Sequence, residues 1–194
     1  MEIIRFAELK AHPWRNGGGA TRELASHPAA ASPQDPGTAG WDWRVSIADI
    51  SKAGDFSAVP GMDRVLTVVE GELLLLSVDG AEHPLEKYRP FRFSGDAAAS
   101  AALPTGDLRD LNVITRRGVF KGYTSIIELS KKRAHPVFEG QLGILLQGQA
   151  SVAPGGGEPT TLARYDAVVG SDTDTPEILG RGFLAVVSID RVAD

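Results

Sequence analysis

Arg44 stands in the run Trp43-Arg44-Val45-Ser46-Ile47, among residues that belong in an apolar core. A buried guanidinium needs an anionic or carbonyl partner, because an unpaired buried charge is very costly. That partner is either a ligand carboxylate, which guanidinium matches with two parallel hydrogen bonds, or an internal acid. Glu23, Asp63 and Asp110 are the internal candidates. Arg64 opens the apolar run that ends at Glu70 and alternates with Leu66 and Val68, which places it at the mouth of an interior face. In Asp110 to Arg116, residues Asp110, Asn112, Ile114 and Arg116 share a face. Asn112 offers donors and an acceptor to an amide, an imino group or a carboxylate, or else it satisfies nearby backbone. The segment Pro13 to Glu23 contains Asn16-Gly17-Gly18-Gly19, a turn whose glycines let backbone N–H groups converge on an anion or on another strand. A phosphate loop would continue into Lys-Ser/Thr and a helix, and neither follows.

Other chemistries lack their residues. The chain of 194 residues has no cysteine, so disulfides, thiolate nucleophiles and Cys-bound zinc are excluded. His12, His27, His83 and His135 are scattered, with no pair at metal-ligand spacing, and each is expected in a surface or turn position. No Gly-x-Ser-x-Gly elbow occurs. Lys and Arg number 20 against 25 Asp and Glu, a net charge of -5, so a nucleic-acid partner has no electrostatic support. The one tight cationic cluster, Lys131-Lys132-Arg133, reads as a solvated turn.

The elements that must position these side chains are strands. Trp43–Ile47 alternates so that Arg44 and Ser46 face one way while Trp43, Val45 and Ile47 face the other. Arg64–Glu70 and Glu72–Val78 are apolar runs separated by Gly71, and Asp79-Gly80 then signals a hairpin. Further strands are expected at Asp110–Arg116, Tyr123–Leu129, Leu142–Gln147, Gln149–Val152, Asp166–Val169 and Phe183–Ile189. The Ala-rich stretch from Asp96 to Ala102 sits between strand-like segments and reads as strand despite its helix propensity. Only Phe6 to Ala11 keeps a short helical pattern. Many short strands with regular turns imply an all-β sandwich or barrel. Residues 25–40, rich in Ala, Pro and Ser, read as a mobile loop, and Pro154 to Gly157 as a hairpin tip. A short internal echo is present: Glu70-Gly71-Glu72 followed by Tyr88, and Gln147-Gly148-Gln149 followed by Tyr165. Two copies of one barrel motif would look like this. The N-terminus lacks a signal-peptide pattern and Leu73 to Leu76 is too short to cross a bilayer, so a cytoplasmic protein without a membrane partner is expected.

Four motifs together resemble the HutD/Ves family, in the same order: Pro13 to Glu23, Trp41 to Ala48, Phe56 to Arg64 and Asp110 to Gly118. The resemblance implies a bicupin of two small cupin-like β-barrels with few short helices. An N-terminal barrel over 1–118 would carry the motifs, and a C-terminal barrel would span 119–194. It implies a link to histidine utilisation, restrained by binding formiminoglutamate, formylglutamate, urocanate or formate. Cupins commonly hold a metal through histidines; in the corresponding segment this chain has Pro60, Gly61, Asp63 and Arg64, so neither metal nor other cofactor is expected. Residues and resemblance converge on one ligand site of Trp14, Asn16, Arg44, Ser46, Phe56, Arg64 and Asn112, with Trp43 as a further candidate wall. The expected partner is a small acidic metabolite, with room left for a homodimer. Two rivals stand beside this: a metal-free isomerase or hydrolase with Glu23, Asp63 or Asp110 as base, and a stress-associated protein without a ligand.

Overall fold

The computed structural model describes residues 1–28 and 40–193. Its strands are β1 (Glu2–Ile4), β2 (His12–Pro13), β3 (Gly19–His27), β4 (Trp43–Ile50), β5 (Gly54–Asp55), β6 (Met62–Glu70), β7 (Leu73–Val78), β8 (Ala81–Glu86) and β9 (Phe91–Ser94). They continue with β10 (Ala99–Ala102), β11 (Leu108–Arg116), β12 (Phe120–Leu129), β13 (His135–Pro136), β14 (Gln141–Ala153), β15 (Thr160–Leu162), β16 (Ala167–Val169) and β17 (Glu177–Arg191). One 3-10 turn, Phe6–Glu8, is the only helical element among the described residues. The all-β expectation holds.

Two compact units are present. One comprises residues 10–122 with 191–194, the other residues 1–9 with 123–190. This division differs from a cut at 118/119, because the first nine residues do not join the segment that follows them. β1 pairs antiparallel with β16 instead. Arg5 Nη1 lies 2.6 Å from the buried carboxylate of Asp166, which also accepts the backbone N–H groups of Phe6 and Ala163. A three-residue strand with two isoleucines cannot announce such a distant partner in the sequence.

In the first unit, a six-stranded antiparallel sheet runs β2-β3-β4-β11-β6-β9 and a four-stranded one runs β5-β10-β7-β8. Leu66 and Val68 of the larger sheet pack with Leu74, Leu76, Leu85, Ala99 and Ala101 of the smaller, forming one core. Arg64 shares the face of Leu66 and Val68, as the alternation requires. The Asp79-Gly80 hairpin is a two-residue turn with both residues at positive φ, 48° and 82°, the geometry that matches strand twist.

In the second unit, β1-β16-β14-β17-β12 form the main sheet path, with β13 on β17 and β15 on β14. The strands expected at 142–147 and 149–152 are a single strand, β14. It passes through Gly148 because β17 pairs along its whole length and sets Gly182 opposite. In place of Asp96–Ala102, the strand β10 begins only at Ala99, after a turn. Of the loop expected at 25–40, residues 25–27 are the end of β3, and 29–39 lie outside the described residues.

The internal echo is conformational as well as sequential. Gly71 and Gly148 have φ of 92° and 100°, and Tyr88 and Tyr165 have φ of 65° and 68°. Each tyrosine N–H donates back to a carbonyl three residues before its glycine, Val68 at 2.8 Å and Leu145 at 2.6 Å. Each ring carries the preceding residue's cation, Lys87 or Arg164, at 4.8 Å. A non-glycine residue held in the left-handed region is uncommon, so its recurrence at one offset marks the same motif built twice.

Candidate functional site

Within the first unit, one face of the six-stranded sheet opens on a cavity of about 560 Å³. β4 supplies Arg44, Ser46 and Ala48 to its wall, β11 supplies Asn112 and Ile114, β6 supplies Arg64 and β3 supplies Thr21. His12 to Asn16 close one side, and Asp55 to Ser57 with Val59 another. The period-2 alternation of strands puts 44, 46 and 48 on a single face, and register brings the strands into line. Ile114 pairs with Arg44 on one flank and with Arg64 on the other. The two arginines therefore share a face at two strand spacings, about 10 Å between backbones.

Each arginine is held differently. Arg44 Nε stands 2.9 Å from Glu23 Oε2, a close ion pair whose angle does not make a hydrogen bond, so Nε remains an unsatisfied donor. Glu23 also accepts the Ser26 hydroxyl at 2.9 Å. Arg64 donates from Nη2 to Asn112 Oδ1 at 3.1 Å and from Nη1 to the Ser57 carbonyl at 3.4 Å. Its guanidinium lies 5.3 Å from the Phe56 ring and 5.1 Å from the Phe93 ring, where the quadrupoles favour a cation. Burial pushes its pKa down to about 10, so it stays charged at neutral pH. Arg44 and Arg64 expose only 6% and 7% of their surface, and charges so desolvated interact strongly with an incoming anion.

Behind the pocket wall, Asn112 Nδ2 donates to Asp110 Oδ1 at 3.2 Å. Asp110 is fully buried, and its Oδ2 has no hydrogen-bond partner. Desolvation pushes its pKa up to about 7, against the pull of Arg64, Asn112 and the Ala48 backbone. The folded state thus holds this proton more tightly than the unfolded chain does. Between pH 3.8 and about 7 the contribution of Asp110 to stability falls as pH rises, and above that it is constant. Asp110→Asn is therefore expected to raise the melting temperature more at pH 8 than at pH 4.5. Thermal melts at the two pH values check this, and equal effects at both would contradict it.

All the expected site residues, Trp14, Asn16, Arg44, Ser46, Phe56, Arg64 and Asn112, line this one cavity. Trp14 and Phe56 form an edge-on aromatic wall, centroids 6.0 Å apart, and Trp14 Nε1 donates to Thr21 Oγ1 at 2.8 Å. Trp43 lies on the other strand face and stacks on His27 instead. The glycine turn borders the pocket, yet its N–H groups are used locally: Gly17 donates to the Trp14 carbonyl and Gly18 to Asn16 Oδ1. Of the acids offered as bases, Glu23 faces Arg44 and Asp63 pairs with Arg117 at 3.0 Å, away from the pocket lining. His12, expected at the surface, lines the pocket through its pairing with Thr21. A two-residue strand carries no periodicity that would reveal this.

The donor set does not suit a metal. His12 is the one imidazole and Asp55 the one carboxylate on the lining, beside two buried guanidiniums that would repel a cation. Among the described residues, no group of three or more His, Asp or Glu is placed to share an ion.

Comparisons with known proteins bear on the family and the fold. The HutD family model matches residues 6–186. Protein Ves of Citrobacter koseri is 40% identical over 119 residues, 60% of this chain. The match spans 59% of that relative's own length. A conserved protein of unknown function from Pseudomonas aeruginosa PAO1 superposes with a TM-score of 0.82 at 27% identity, covering 97% of this chain and 98% of the other. HutD from Pseudomonas fluorescens SBW25, in a formate condition, gives 0.78 at 27% identity over 99% of both chains. A cupin 2 conserved barrel domain protein from Leptotrichia buccalis, at 8% identity and a TM-score of 0.60 over 98% of this chain and 96% of the other, shows the cupin fold alone.

Proposed function

Because this chain belongs to the HutD family, we propose that its pocket takes a small acidic metabolite between Arg44 and Arg64, as a cytoplasmic binding protein that modulates histidine catabolism. The carrying observation is the pair of desolvated guanidiniums set in register across Ile114 in one cavity of about 560 Å³. That volume suits a ligand of metabolite size. Ser46 and Asn112 add hydrogen bonds between the arginines, and Trp14 and Phe56 add an apolar wall. Formiminoglutamate, formylglutamate and urocanate fit this class. Formate, with three heavy atoms, could gain at most about 4.5 kcal/mol and is a fragment of such a ligand. The formate condition of the Pseudomonas fluorescens structure is consistent with that reading. Binding is favoured over turnover because the candidate bases are engaged: Glu23 by Arg44, Asp63 by Arg117, and Asp110 behind Asn112.

A thermal-shift screen of these acids tests the proposal. A ligand at 100 times its Kd stabilises by about 2.7 kcal/mol, which for a chain of this size is a shift of roughly 5–10 °C. The two-carboxylate compounds should shift melting more than formate does, and Arg44→Met should abolish the shift. If none of the acids shifts melting at millimolar concentration, the ligand-free stress-protein reading wins. If a compound is consumed, as followed by proton NMR, the enzyme reading wins.

A further inference from the structure

Asp110 is a buried carboxyl whose ionised form is disfavoured by its desolvation. It is fully buried on β11, facing the same way as Asn112, with one oxygen accepting from Asn112 and the other unpartnered. The relay Asp110–Asn112–Arg64 connects it to the pocket through two hydrogen bonds, of 3.2 and 3.1 Å. We propose that Asp110 links anion capture to proton uptake: it counterbalances Arg64 through Asn112 while the pocket holds no anion, and takes a proton when an anion arrives. The proposal rests on the reading of the pocket as an anion site.

The physical basis is charge compensation at low dielectric. Arg64 is one fixed positive charge that stays protonated through the neutral range, since its pKa is about 10. A ligand carboxylate and an ionised Asp110 would both draw on it, and in a desolvated site two anions around one cation repel strongly. Protonating Asp110 relieves that repulsion and lets Arg64 serve the ligand. The charged groups that act on Asp110 are Arg64 from β6, which favours its ionised form, and Asp49 from β4, which disfavours it. Val68, its partner across the ladder on β6, belongs to the apolar core shared with β7, β8 and β10. Asp110 is poised near neutrality before any ligand binds, so a modest added charge moves it across the physiological range.

Formylglutamate is the probe, because its carboxylates stay ionised from pH 6 to 9. Calorimetry at pH 8 in two buffers of different ionisation enthalpy should show uptake of roughly 0.3–0.9 proton per anion bound. Affinity should fall by about tenfold or more between pH 6 and pH 9, following the same linkage. Asp110→Asn should bind with no proton uptake and with affinity unchanged across that range. His12→Gln, whatever it does to affinity, should still take up a proton on binding, which separates Asp110 from the imidazole on the pocket wall. Binding by the wild type without uptake overturns the proposal alone, as does uptake that persists in Asp110→Asn. No binding by any of these proteins at any pH overturns the anion-site reading and the proposal with it. If Asp110→Asn folds poorly, the wild type and His12→Gln decide together: uptake kept in His12→Gln supports Asp110, and uptake lost there overturns the assignment.

Discussion

Arg64→Met is expected to weaken formylglutamate binding by about 10- to 100-fold while leaving the melting temperature unchanged or raising it. The loss follows from one charge-assisted hydrogen-bonded contact, worth about 1.5–3 kcal/mol. The indifference of stability follows from burial. Arg64 is 7% exposed, and the desolvation that depresses its pKa is a cost that the folded state bears. Methionine fills much of the same space between Phe56 and Phe93 with a flexible apolar chain. Removing the guanidinium also leaves Asp110 without its counter-charge. The carboxyl then stays protonated, so no unpaired charge is left in the core. Calorimetry and thermal melts on the same variant decide the issue. A large drop in melting temperature with affinity intact would make Arg64 a structural residue and remove it from the site.

The second large effect is expected at Gly19, where the glycine turn enters β3. A Cβ there would lie 2.3 Å from the Asp49 carbonyl and 3.0 Å from the Trp14 ring. The carbonyl belongs to β4, paired alongside in the ladder, and cannot yield without opening the β3–β4 pairing. Gly19→Ala should destabilise by about 1–3 kcal/mol, as overpacking does, and should displace Trp14 from Phe56. Ligand affinity should fall with it, together with the tryptophan fluorescence change on binding. Gly17→Asn is the contrast: it has a φ of 70° with nothing within 4 Å, and asparagine tolerates that conformation. It should cost less than about 0.5 kcal/mol. Equal losses at both positions would show that the turn as a whole, rather than the close approach at Gly19, matters.

Much of this site was legible because strands alternate. Once Trp43, Val45 and Ile47 are assigned to one face, Arg44 and Ser46 must share the other, and the same parity joins Asn112 to Ile114. Register was not legible. Nothing in the two segments says that Ile114 sits between Arg44 and Arg64, since pairing is decided by distant strands meeting. The partner of Arg44 stayed open among three acids for the same reason, and tertiary placement settles it as Glu23. His12 and β1 escaped because segments of two or three residues carry no period. Gly148 looked like a break, as Gly71 is one. Only the pairing of β17 across it shows that a positive φ can also sit inside a continuous strand. Tyr88 and Tyr165, by contrast, were visible as an echo, and their shared backbone conformation gives that echo its physical meaning.

The central claim is that one small acid lies between Arg44 and Arg64. A crystal structure of the protein with formylglutamate at saturating concentration tests it most directly. The account predicts one ligand in the cavity of the first unit, with carboxylate oxygens within about 3 Å of the guanidinium nitrogens of both arginines. It also predicts that the Asn112 amide remains between Asp110 and Arg64. Formylglutamate bound elsewhere on the molecule, or a cavity holding only solvent at that concentration, would contradict it.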